Sequence, residues 1–218
     1  MVLICILLIP VLIILFLRNF GTNTYEIPVL YEQGIEDPFG TCDFVQGQQH
    51  YIPDFSFVSQ DSSFRGRSEM EGKITIVDFF FTSCPSICPI MSNEMERVQD
   101  AFRNEDKVQI YSISIDPEYD TPSVLADYAS KYNARTDKWF FLTGSKEQTY
   151  DLVRCGFALP IVDGFDNPED FVHSDKFILV DGEGRIRGYY SGTTREGVDK
   201  LILESKVLLH GMAQEKAS

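Results

Sequence analysis

The chain has 218 residues, 44% of them hydrophobic and 13% aromatic, and a formal net charge of −14. That length holds one ordinary domain with a buried core plus a small appendage, and the composition is globular rather than disordered. An acidic chain with no visible basic face is excluded as a nucleic-acid binder and is unsuited to docking on anionic lipid headgroups.

The chain opens with "MVLICILLIPVLIILFLRNFG", apolar from Met1 to Leu17 and ended by Arg18. A helix rising ~1.5 Å per residue over this run reaches roughly 25 Å, slightly short of a ~30 Å hydrocarbon core. Bilayer thinning and the flanking residues through Phe20 close that gap. The run is long for a cleaved signal peptide and no small-residue cleavage site follows it, so residues 1–20 are expected to be an uncleaved membrane anchor. Pro10 kinks such a helix without excluding it. The remaining chain is expected outside the cytoplasm, with Arg18 a weak determinant of orientation. Residues 21–47 read as a polar, turn-rich lead-in with one apolar stretch, "YEIPVLY". Residues 48–212 read as the globular domain and 213–218 as a tail.

In the globular part strand and helix patterns alternate. "PDFSFVSQ" alternates with period two and predicts an opening strand near 54–59. "KITIVDFFFT" is a continuous β-branched and aromatic run, the pattern of a central strand buried on both faces. Residues 86–104 place Ile87, Met91, Met95, Val98 and Phe102 at helical spacing. "KVQIYSISID" predicts a second buried strand, and "TPSVLADYASKYN" a helix with Thr121 at the N-cap and Pro122 at its first position. "KWFFLTG" predicts a third strand and "SKEQTYDLVRCGFA" a helix. A Gly/Asp/Pro loop leads to "HSDKFILVD", the "DGEG" turn returns the chain into "RIRGYYSG" as a hairpin, and "REGVDKLILESKVLLHG" closes as an amphipathic helix. The fold class is α/β, a thioredoxin-like central sheet flanked by helices, following an N-terminal transmembrane helix.

Five cysteines stand at 5, 42, 84, 88 and 155. Their spacing does not read as a disulfide framework, although an oxidising compartment permits disulfides. Cys5 is a small apolar residue of the anchor, and Cys155 in "YDLVRCGFALP" reads as helix-core packing. Cys42 stands isolated in the lead-in as a free or lipid-bearing thiol.

Cys84 and Cys88 differ from these because "CPSIC" ends a central strand and opens a helix. A thiol there meets unpaired backbone N–H groups and the positive end of the helix dipole, which favour the thiolate. If the first turn is helical, a spacing of four puts both sulfurs on one face, and Pro85 and Pro89 stiffen the turn. Core packing does not ask for such a pair. It has one residue more than a C-x-x-C redox turn, and no second cysteine pair completes a four-sulfur zinc site. The two thiols can close a disulfide or bind a soft metal ion. Two sulfurs and one imidazole suit copper, whose reduced ion prefers thiolate and whose oxidised ion adds nitrogen. Among the three histidines, His50 precedes the first strand and His210 sits in the last turn of the final helix, where the dipole accounts for it. His173, at the start of "SDKFILVD", is the candidate third ligand; alone, a histidine at a strand start is more often a surface or hydrogen-bonding residue.

Three segments, "VDFFFTSCPSICPIM", "SISIDPEYDTP" and "DFVHSDKFILVD", resemble the Sco/SenC proteins, and the resemblance covers about residues 48–212. It implies a thioredoxin-like domain binding one copper ion, as Cu(I) or Cu(II), through Cys84, Cys88 and His173. It implies a copper chaperone of respiratory oxidase assembly that serves the copper-site subunit of a terminal oxidase. The chaperone would deliver copper to the binuclear centre or reduce that subunit's cysteines beforehand. The anchor agrees with the family's topology, a single-pass protein of the inner (cytoplasmic) membrane with its globular domain on the periplasmic or extracytoplasmic side. Asp116 resembles a family position near the site, and helix-entry turn chemistry accounts for it equally well. The lead-in is this chain's own, and the amino terminus lacks the usual basic residues. The alternative is a thiol–disulfide reductase that uses Cys84 and Cys88 as a redox pair without metal; a passive assembly or sensor module is a third class. A peroxidase is the weakest, because the leading cysteine has no identifiable peroxide-activating neighbourhood.

Overall fold

The long apolar runs of the sequence become the middle of a twisted sheet. The computed structural model describes residues 8–16, 26–35, 42, 47–159 and 174–215. Among these, seven strands form one sheet: β1 (Ser56–Ser59), β2 (Phe64–Gly66), β3 (Ile74–Phe80), β4 (Val108–Ser114), β5 (Trp139–Thr143), β6 (Lys176–Val180) and β7 (Ile186–Ser191). Their spatial order is β2-β1-β5-β4-β3-β6-β7. The central strands β3, β4 and β5 are parallel to one another. Every residue of these three strands is buried, as continuous β-branched and aromatic runs require. The outer strands β1 and β6 are antiparallel to β5 and β3 respectively. β2 was not anticipated; three residues, "FRG", are too few to show an alternation.

Residues 8–16 form helix α1 within the predicted anchor, and their large apolar side chains are exposed. No helix among the described residues is long and apolar enough to cross a membrane, and the rest of the 1–20 run lies outside them. The other helices are α2 (Ile87–Ala101), α3 (Pro122–Lys131), α4 (Lys146–Asp151), which widens into a π turn at Leu152–Gly156, and α5 (Arg195–Glu215). Thr121 caps α3 as expected, accepting from the Val124 N–H, with Pro122 next to it.

The crossovers β3–α2–β4 and β4–α3–β5 step the same way across the sheet, so right-handed connections put α2 and α3 on one face. Ser92 on α2 and Tyr128 on α3 meet at 2.9 Å, and Arg97 on α2 pairs with Asp199 on α5 at 2.5 Å. Phe80 meets Tyr128 of α3 with ring centroids 5.2 Å apart, so strand alternation aims Asp78 and Phe80 at the helices and Phe79 at the opposite face. There Phe79 packs edge to face on Phe157, just beyond the π turn, with ring centroids 5.3 Å apart.

The described lead-in residues 26–35 and the start of the domain lie along the hairpin β6–β7 on this second side. Leu30 donates its N–H to Ile186 O and Ile52 to Gly184 O, each at 2.9 Å. Arg187 bridges the carbonyls of Ile27 and Pro28 to the Asp181 carboxylate. Ile27 and Ile52 are each 3% exposed. The hairpin turn is built by Asp181, whose Oδ1 accepts from the N–H groups of Glu183 and Arg185, and by Gly184 at φ +83°, a conformation that favours glycine.

Cys42 and Cys155 correct the sequence reading of both residues. They form a disulfide across 113 residues with Cα atoms 5.5 Å apart. Cys42 is therefore neither free nor lipid-bearing, and Cys155 is a half-buried cross-link rather than core packing. Apolar periodicity identified the helix but not its partner, because a bridge over so long a separation leaves no local pattern. Cys5 lies outside the described residues.

Candidate metal centre

The site begins where β3 ends. After Phe80 the chain turns, Cys84 N–H bonding back to Phe81 O at 3.2 Å, and enters α2 through Ser86. Ser86 occupies the N-cap position without making a side-chain cap bond; its hydroxyl instead lies 3.7 Å from the Cys84 sulfur. Interactions with the Cys88 and Ser86 backbones and side chains favour the Cys84 thiolate. Pro89 falls in the first helical turn, where a missing N–H removes no intrahelical bond.

Cys84 and Cys88 are both reduced, 5% and 3% exposed, with their side chains within hydrogen-bonding reach of each other. Their acidities diverge. Burial pushes the Cys84 thiol up, but the hydrogen bonds from Cys88 and Ser86 outweigh it and leave the group below its ordinary value. Cys88 is pushed up to about 12, first by burial, with the Phe81 backbone opposing and the Cys84 and Asp78 charges adding to the rise. The pair thus combines one sulfur prepared as a thiolate with one held as a thiol in the metal-free protein.

Two acids that the sequence reading passed over shape this site. Asp120, fully buried, accepts the Thr82 N–H and hydroxyl and the Ser114 hydroxyl, fixing the turn that leads to Cys84. Asp78 lies on β3 beneath α2, accepts from Ser112 Oγ at 2.5 Å, and Ser112 in turn accepts from Trp139 Nε1 at 2.8 Å. Burial raises the Asp78 carboxyl to about 7 against that hydrogen bond. A signal for it existed, since an acid inside "IVDFFF" sits in a run buried on both faces. Asp116 shapes the turn before α3, its carbonyl accepting from Tyr119 and Asp120. Burial, with Asp120 and Glu118 nearby, raises its carboxyl.

His173 lies outside the described residues, and among the described ones no cluster of three His, Cys, Asp or Glu side chains forms a metal site. The described start of β6 runs antiparallel to β3, so Lys176 is carried toward the Phe80 end from which the cysteine turn departs. The remaining histidines have other partners: His50 Nε2 is 2.8 Å from Gly156 O, and His210 is exposed on α5 beside Gln214. Two adjacent reduced sulfurs at a helix N-terminus are a donor set suited to a soft, thiophilic ion.

A model of the SCO1/SenC family matches residues 45–205. The SCO1 protein homolog of Bacillus subtilis is 29% identical over 196 residues, covering 89% of this chain and 92% of its own. BsSco, a member of the Sco family of cytochrome c oxidase assembly proteins, superimposes with a TM-score of 0.64 at 29% identity, covering 81% of this chain and 98% of its own. ScoI of Arabidopsis thaliana, solved with copper bound, gives a TM-score of 0.58 at 26% identity over 73% of this chain and 99% of its own. A family match over most of the chain, on the fold of these relatives, makes this chain a member of the SCO1/SenC family.

Proposed function

We propose that the chain is a membrane-anchored copper chaperone that takes one copper ion, as Cu(I) or Cu(II), on Cys84, Cys88 and His173. It delivers that ion to the binuclear copper site of a terminal oxidase subunit from the extracytoplasmic side of the inner membrane. The observation that carries the reading is the reduced, sheltered Cys84/Cys88 pair at the N-terminal end of α2. Copper in the ScoI relative and oxidase assembly in the BsSco relative support the cargo and the partner. Three protein ligands leave the ion short of a closed four-ligand set, so a partner's sulfur or nitrogen displaces them one at a time. The Cys42–Cys155 bridge supports the location, because disulfides persist in oxidising compartments and are rare in the cytosol.

The unequal thiols favour a second reading at the same site, reduction of the partner's cysteines before metal delivery. Cys84 thiolate attacks the partner's disulfide and forms a mixed disulfide, expelling one partner thiolate, which takes up a proton. Cys88 then loses its proton and attacks the Cys84 sulfur, freeing the second partner thiol and leaving Cys84–Cys88 oxidised by two electrons.

Anaerobic copper titration decides the matter. The protein should bind close to one equivalent, with a sulfur-to-copper charge-transfer band in the Cu(II) form that disappears in Cys84→Ser and is lost or shifted in His173→Ala. Unchanged binding and an unchanged band in both variants would remove the copper reading; disulfide turnover that persists in His173→Ala without copper would favour the reductase.

A further inference from the structure

The Cys42–Cys155 bridge has no part in the copper chemistry proposed for Cys84 and Cys88. Both of its cysteines are half-buried, and both line an open cavity of about 360 Å³ whose other walls include Pro53, Phe55, Gln148 and Asp151. A cavity of this size takes a small molecule or a single side chain. Among the described cysteines, the oxidised pair is therefore the accessible one and the reduced pair the sheltered one. The bridge also sits at a junction. Three successive residues of the π turn and its exit are tied down: Cys155 by the disulfide, Gly156 through its carbonyl to His50 Nε2 at 2.8 Å, and Phe157 through its carbonyl to Tyr189 OH at 2.8 Å.

We propose that Cys42–Cys155 is a second thiol–disulfide exchange site, reduced by a small dithiol entering this cavity, and that its opening releases the lead-in from the π turn. One thiolate of the dithiol attacks a bridge sulfur, breaking the Cys42–Cys155 bond and forming a mixed disulfide, while the expelled cysteine takes up a proton. The second thiol of the reagent then attacks the mixed disulfide, so the reagent leaves as a disulfide, oxidised by two electrons. The protein gains two thiols. After opening, the described residues of the lead-in and domain entry keep non-covalent ties, among them His50 to Gly156, Leu30 to Ile186, Ile52 to Gly184, Tyr31 to Tyr189, Arg187 to Ile27 and Pro28, and the burial of Ile27 and Ile52. Local opening of such a segment exposes it to proteases.

The test uses copper-free, full-length protein in detergent, equilibrated anaerobically with graded ratios of reduced and oxidised dithiothreitol and no denaturant, then alkylated and mapped by peptide mass spectrometry. The cross-linked peptide of Cys42 and Cys155 should be lost in one two-electron step, both in the wild type and in the Cys84→Ser/Cys88→Ser double variant. Circular dichroism should keep its native form through that step, and protease cleavage between residues 26 and 52 should appear with it. Cys42→Ser should show the same cleavage without reductant. The proposal is overturned if the cross-link survives full reduction until denaturant is added, or if native circular dichroism is lost in the same step. Unchanged cleavage of the lead-in after reduction also overturns it.

Discussion

Asp120 accepts the backbone N–H of Thr82 at 3.1 Å, two residues before Cys84, and it receives the Thr82 hydroxyl as well. Its Oδ2 is shared with Ser114 Oγ at 2.5 Å, so one fully buried carboxylate joins the end of β4 to the cysteine turn. Asp120→Ala strands these donors away from water and should lower stability by roughly 2–4 kcal/mol in urea unfolding. The same variant should speed alkylation of Cys84, because the turn that shelters it loosens. A loss below about 1 kcal/mol would mean that other contacts hold the turn.

Asp78 gives a pH dependence with a defined sign. Its folded-state carboxyl is raised to about 7, chiefly by burial, whereas an unfolded Asp titrates near ~3.9. Between those values the folded state keeps a proton that the unfolded state has released, so stability falls as pH rises from about 4 to about 7 and then levels off. Asp78→Asn removes that slope and still accepts from Ser112. The variant should match the wild type near pH 4 and exceed it above pH 7, by up to a few kcal/mol. Parallel stability curves across that window would show that Asp78 ionises normally in the folded protein.

The parts of the fold legible in the sequence are those fixed by neighbours in the chain. The runs "KITIVDFFFT" and "KVQIYSISID" announce strands buried on both faces, Thr121-Pro122 announces a helix start, and "DGEG" announces a turn. The placement of Cys84 and Cys88 at a helix entrance was legible for the same reason. What stayed hidden depends on distant partners. Nothing near Cys42 points to Cys155, and nothing in "DPEYD" says that its last acid, Asp120, rather than its first, is the buried hub. The lead-in reads as polar because its hold on the domain comes mainly from backbone groups that any sequence carries, with Arg187 supplied from β7.

Arg187 should therefore matter to a segment that lies more than a hundred positions away. Its side chain is 12% exposed and serves Asp181 as well as the Ile27 and Pro28 carbonyls. Arg187→Met keeps much of the packing volume but leaves the Ile27 and Pro28 carbonyls without this donor, while Asp181 keeps Arg185 Nε at 2.8 Å. A loss of roughly 2–4 kcal/mol is expected, with proteolysis of the lead-in appearing before global unfolding. Simultaneous loss of lead-in and core would instead mark the two as one cooperative unit.

The divergent acidities of Cys84 and Cys88 set an order of reaction in the reduced, copper-free protein. Burial works against the Cys84 thiolate, but the Cys88 and Ser86 hydrogen bonds override it, so its titration lies below the ordinary cysteine range. Cys88, pushed up to about 12 chiefly by burial, stays a thiol through the same pH range. Because the thiolate is the nucleophile, iodoacetamide should modify Cys84 first, at a rate that rises with pH and levels off once that thiol has titrated. Cys84→Ser should abolish the fast phase, whereas Cys88→Ser should retain it with a shifted midpoint, since Cys88 supplies part of the hydrogen bonding. Peptide mapping after short exposure distinguishes the two sulfurs directly. Equal labelling of both, or a fast phase that survives Cys84→Ser, would show that the interactions with Cys88 and Ser86 do not activate Cys84.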